Sequence, residues 1–243
     1  MRINRTVIAD LQERIDQIAG GAVRQRQTVP FGVPEIDSRL PGGGLALGAT
    51  HEIAGGGTDV VCGAVSALFT AGIAARIPGP VIWCLTRTDL FAPSLVQVGL
   101  SMDRVIFVES KDEEGVIECA EEGLRYRGVA VVVAELVRLP MVASRRFQLA
   151  AEQSGATGLI IRRWRRQQEA TDFGSPTASM TRWRVSPLPS EPLPVPGIGR
   201  PRWFLELMRV RAAESFDVEV NACNATGHMT SIEEQEDPWR VAL

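Results

Sequence analysis

The stretch that most restricts how this chain can fold lies between residues 47 and 75. It begins with a short segment, Leu47 to Ala54, and passes through Gly55, Gly56, Gly57, Thr58 and Asp59. Residues 60–75 then follow without a single charge. This predicts a strand, a glycine turn and a buried helix. A strand running into a glycine-rich turn at a helix start leaves backbone N–H groups free to hold an anion. The phosphate-binding loop of that shape, G-x-x-x-x-G-K-[ST], adds a Lys for the phosphates and a hydroxyl for Mg²⁺. Counted from Gly55, those positions hold Val60, Val61 and Cys62, and no Lys or Arg occurs between residues 55 and 75. The pattern is a nucleotide-binding scaffold whose nucleotide chemistry is missing. The degenerate loop comprises Gly55, Gly56, Gly57, Thr58, Val60, Val61 and Cys62, and no cofactor is expected.

The rest of the chain repeats the strand–helix pattern. Strands are predicted at 80–85, 105–108, 129–133 and 157–161, and helices at 92–99, 112–126 and 140–153. Alternation at this spacing argues for an α/β fold with a mostly parallel sheet covered on both faces by helices. Beyond residue 180 the apolar and polar residues alternate at 182–188, 203–211 and 216–220, which predicts a C-terminal antiparallel meander. Upstream, Val7, Ile8, Leu11, Ile15 and Ile18 lie at helical spacing within residues 5–19. The predicted division is an N-terminal helix and linker (1–28), a core domain (29–221) and an acidic tail (222–243).

With 243 residues and 45% apolar content, one large core is expected. Cys62, Cys84, Cys119 and Cys223 are far apart, and the only histidines are His51 and His228. No zinc site is predicted, and reduced thiols in a cytoplasmic protein are expected. The opening residues lack the pattern of a secretory signal. The uncharged run 60–75 is too short for a membrane span.

Charge is distributed unevenly. Residues 138–211 contain 13 Arg and five acidic residues, a net of +8, while the remainder carries −11. Arg162, Arg163, Arg165 and Arg166 flank Trp164, and Arg182 and Arg184 lie two apart on a predicted strand, so their side chains share a face. An aromatic residue among arginines suits stacking on nucleic-acid bases. The same Trp packing inward, with its arginines in solvent, is the competing expectation. These seven residues form the candidate DNA- or partner-binding surface. Single-stranded DNA and an acidic face on a partner protein are both open. Glu135 and the pair His51 and Glu52 are expected to be structural, with Glu135 paired to Arg138.

Residues 31–37 and 42–55, with Gly48-Ala49-Thr50-His51-Glu52, resemble the core of RecA-type recombinases. Residues 144–155, 158–163 and 181–184 narrow this: the chain resembles the ImuA family of bacterial mutagenesis proteins, sometimes labelled SulA-like. The similarity runs over roughly residues 29–211. It implies a RecA-like fold acting with an ImuB-like inactive Y-family polymerase homologue, with RecA, and indirectly with an error-prone replicative-type DNA polymerase. Together these carry out translesion synthesis in the DNA-damage (SOS) response. In an active recombinase a carboxylate follows the second core strand, where Arg87 stands here. The magnesium-linked Asp falls near Ala134, beside Glu135. Phosphoryl transfer rests on positioning and charge stabilisation, so a non-enzymatic accessory role is expected. An ATPase with an altered phosphate loop is the alternative, and a SulA-like cell-division inhibitor a weaker one. The similarity to recombinases also raises self-association, mediated by the segment before residue 30.

Overall fold

A computed structural model describes residues 26–164, 167–211 and 213–232 and, within them, all side chains except those of Gln167, Gln168 and Thr171. The predicted helix at residues 5–19, Arg165, Arg166 and the acidic residues from Glu233 onward lie outside the described residues.

In chain order the elements are β1 (Thr28–Val29), α1 (Pro34–Asp37), β2 (Leu45–Ala46), β3 (Thr50–Gly55), α2 (Asp59–Ala75), β4 (Val81–Leu85), α3 (Ala92–Gln97), β5 (Val105–Glu109), α4 (Glu113–Arg125), β6 (Val131–Leu136), α5 (Met141–Ser154) and β7 (Thr157–Arg162). A 3₁₀ segment (Gln167–Gly174) leads to β8 (Thr181–Leu188), β9 (Arg202–Val210), β10 (Phe216–Asn221) and β11 (Thr230–Ser231). Strands β3 to β11 form one sheet in the order β11-β10-β9-β8-β3-β7-β6-β4-β5. From β5 to β8 neighbouring strands are parallel, and from β8 to β11 they are antiparallel. This is a RecA-like α/β fold with a mostly parallel sheet and an antiparallel C-terminal extension.

Strand β3 lies at the centre, hydrogen-bonded to β7 and β8, and is buried along its whole length. One sheet face is covered by α2, α3 and the segment before β2. Its core joins Phe31, Phe69, Trp83, Trp183, Trp203 and Leu205. The other face is covered by α4 and α5 around Val116, Leu124, Val132, Phe147 and Ile160. Burial against β3 and β8 explains the uncharged run from about Ser66 to Ala74, whereas Val60 and Val61 at its start face solvent. The turn before α2 has no room for side chains: a Cβ on Gly55 would lie 2.4 Å from Cys62 Cβ.

One boundary differs from the sequence expectation. Residues 222–232 are not a tail. Ala222 and Met229 join the main core, and β11 pairs with β10. The polar stretch after β7 also packs against the sheet in its described residues. Trp164, Phe173, Thr177 and Ser179 are buried. Apolar anchors this far apart in a polar stretch have no periodicity to reveal them.

His51 on β3 is fully buried. Its Nε2 lies 2.8 Å from the Ala46 carbonyl and its Nδ1 2.8 Å from Thr181 Oγ1. Trp183 Nε1 in turn donates to Thr181 Oγ1 (2.9 Å). One neutral tautomer satisfies the chain: Nε2–H donates to the carbonyl, and Nδ1 accepts from the hydroxyl. Burial pushes the imidazole down to about 4, whereas in the unfolded chain it titrates near the ordinary ~6.5. The folded state then binds fewer protons in this range. The stabilisation is complete above about pH 6.5 and is lost as pH falls toward 4, at up to about 1.4 kcal/mol per pH unit. We expect urea midpoints to fall between pH 7 and 5, and His51→Gln to show a shallower fall than the parent. Equal slopes would show that another group titrates.

Candidate functional site

The loop after β3 is the place where a nucleotide's phosphates would sit, and two of its backbone N–H groups are already engaged. Gly56 N–H donates to the Val185 carbonyl (3.0 Å) and Asp59 N–H to the Trp164 carbonyl (3.2 Å). Thr58 is the N-cap of α2 but its side chain makes no capping hydrogen bond. Val60 and Val61, in the positions where a phosphate loop carries its final Gly and Lys, are 95% and 62% exposed. Cys62 turns inward and is buried.

Asp59, at the start of α2, adds a negative charge where the helix dipole favours an anion. Arg163, just past the end of β7, meets it with two hydrogen bonds (Nε–Oδ1 2.9 Å, Nη2–Oδ2 2.6 Å). The same guanidinium donates to Asp89 after β4 (2.8 and 3.0 Å) and to Glu135 on β6 (2.7 Å). Glu135 also accepts from Trp83 Nε1–H (2.7 Å). Burial holds the Glu135 carboxyl above its ordinary range, opposed in part by Arg163 and Trp83. The hydrogen bond from Arg163 holds Asp89 below its own range. One arginine thus ties together three carboxylates from three parallel-strand ends. These residues line a cleft of about 240 Å³ together with Val60, Ala64 and Phe91. The expected partner of Glu135, Arg138, is replaced by Arg163, because β6 and β7 are adjacent and bring their C-terminal ends together.

Among the described residues, which leave out Arg165 and Arg166, the predicted basic surface is not assembled. Arg162 is buried and donates to Glu52 (2.9 Å), to Asp172 and to the Val137 carbonyl (2.8 and 3.2 Å). Arg182 is also buried and donates to the other Glu52 oxygen (3.1 Å) and to the Ser175 carbonyl (2.8 Å). Both guanidinium groups lie over the Phe173 ring. Thr177 Oγ1 donates to Glu52 as well. Trp164 packs on Phe173, with ring centroids 5.6 Å apart, beside Ala54. Arg184 shares a face with Arg182 as expected but pairs with Glu206 on β9 (3.2 Å). Arg162, Arg182 and Trp164 are therefore structural, and Arg163 faces carboxylates. The physical cause is β3: Glu52 is a buried acid between β7 and β8, and both neighbouring strands answer it with an arginine.

Sequence reasoning passed over Asp59 and Asp89. Asp59 was legible as an acid at a helix start. Asp89 carried no signal, since only the fold brings it to Arg163. Among the described residues no three His, Cys, Asp or Glu side chains are grouped to hold a metal ion. Within the same residues no helix is long and apolar enough to cross a membrane.

Comparison with known proteins decides the family. Protein ImuA of Caulobacter vibrioides (strain NA1000 / CB15N) is 41% identical over 191 residues, covering 74% of this chain and 78% of that protein. The chain belongs to the ImuA family. Protein ImuA of a second Caulobacter vibrioides strain (ATCC 19089 / CIP 103742 / CB 15) matches to the same extent. No family model matches the chain. ImuA membership accords with the features that narrowed the sequence: residues 144–155, 158–163 and 181–184 cover most of α5 and β7 and the start of β8, and β7 and β8 bracket Glu52 with Arg162 and Arg182.

Proposed function

We propose that this chain is a non-catalytic RecA-fold accessory protein of damage-induced mutagenesis, working through protein contacts and not through nucleotide turnover. The supporting observation is the position of Arg163. Its guanidinium is tied to Asp59, Asp89 and Glu135 at the mouth of the glycine loop. A triphosphate entering there would meet carboxylates in place of the Lys that stabilises phosphoryl transfer. The partners carried by the family resemblance are an ImuB-like polymerase homologue, RecA and, indirectly, an error-prone replicative-type polymerase. Direct contact with single-stranded DNA is the weaker part. Of the seven residues put forward for it, Arg162, Trp164 and Arg182 are buried.

Calorimetric titration of the full chain with Mg-ATP is expected to give no saturable heat, and a phosphate-release assay no turnover. Micromolar affinity would overturn the proposal and favour an ATP-binding module with an altered loop.

A further inference from the structure

The mouth of the Arg163 cleft is apolar. Val60 is 95% exposed and Phe91 is 67% exposed, and both line the cleft. Large apolar side chains gathered at the rim of a cleft mark a place where something binds. Below that rim the cleft wall carries Asp59, Asp89 and Glu135 against Arg163. Arg87 lines the neighbouring recess, together with Glu113.

We propose that this cleft is the docking site for a segment of a partner protein that presents an Arg or Lys beside an apolar side chain. The inference rests on the reading that the cleft holds no nucleotide. A purely apolar segment would cover the half-exposed Asp89, which shares the Arg163 guanidinium with Asp59 and Glu135, and burying an incompletely paired charge is costly. An acidic or phosphorylated segment would add like charge to the carboxylates. A cationic head enters beside Asp89, whose side chain is 47% exposed, while the neighbouring apolar residue packs on Phe91 and Val60. The apolar contact supplies affinity, and the carboxylates select the partner.

The test is a selection of displayed random peptides on the full-length protein, followed by fluorescence anisotropy with the enriched peptide made synthetically. The enriched peptides should carry Arg or Lys next to Leu, Ile or Phe. Replacing that Arg by citrulline should weaken binding at least about tenfold. Asp89→Asn, which removes the charge but keeps the side chain's shape beside Arg163, and Phe91→Ser, at an exposed position, should each weaken it by about as much while the melting temperature changes little. Excess Mg-ATP should leave the peptide bound. If ATP displaces it, the nucleotide-free reading falls while the peptide site stands. Enriched peptides without a cation, binding that survives citrulline or both variants, or no enrichment at all would each overturn the proposal. So would concentration-dependent self-association in sedimentation that Phe91→Ser abolishes, which would assign the cleft to a second copy of this chain.

Discussion

Glu52→Ala should lower the free energy of unfolding by roughly 3–5 kcal/mol. Glu52 and Arg162 have fully buried side chains, and Arg182 is nearly so. Among the described residues, removing the carboxylate leaves two guanidinium groups inside the protein with one carboxylate, Asp172, beside the Phe173 ring, the Thr177 hydroxyl and backbone carbonyls. A whole domain is stable by only about 5–15 kcal/mol, so this single change removes a large fraction. A buried ion cluster is not in itself a source of stability, because desolvating its charges offsets their attraction. The triple variant Glu52→Leu, Arg162→Met, Arg182→Leu should therefore unfold at a urea midpoint closer to the parent than Glu52→Ala does. A Glu52→Ala protein within about 1 kcal/mol of the parent would show that water reaches the cluster and solvates the freed arginines.

Trp183→Ala should cost about as much, roughly 3–5 kcal/mol, through the cavity it leaves. Trp183 is 0% exposed. Its ring lies 5.3 Å from Phe31, 6.0 Å from Phe69 and 6.1 Å from Phe216 between centroids. It thus ties the segment before β2, helix α2 and the meander together across one sheet face. Its Nε1–H also completes the chain that holds His51 neutral. Trp183→Phe keeps most of the volume and loses the hydrogen bond, at a cost of about 1–3 kcal/mol. Calorimetric melting of both variants checks the ranking. Limited proteolysis should cut Trp183→Ala first within residues 26–40, where Phe31 loses its anchor. Resistance there equal to the parent would mean that the segment's other contacts, with Phe69 and Arg76, suffice to hold it.

Local pattern determined much of this molecule. Unbroken apolar runs such as 131–133 can be satisfied only by a strand covered on both faces. The triple glycine before the uncharged run at 60–75 specified a tight turn into a buried helix, and the missing Lys was a matter of counting residues. The family was legible too, in residues 144–163 and 181–184. What composition could not decide was where each arginine points. A run such as Arg162-Arg163-Trp164-Arg165-Arg166 reads as a solvated surface, because arginine is rarely buried without a partner. Its partner, Glu52, is 110 residues away from Arg162 in sequence and sits in a strand whose local pattern names no partner for it. Only the placement of β3 between β7 and β8 put that acid within reach of Arg162 and Arg182. The same holds for Arg163: Asp59, Asp89 and Glu135 are scattered along the chain, and the parallel sheet gathers them because the C-terminal ends of its strands converge on one edge. Hydrophobic period is a local property that a short window reveals, whereas the pairing of charges depends on which strand ends become neighbours, and that is settled by the tertiary structure.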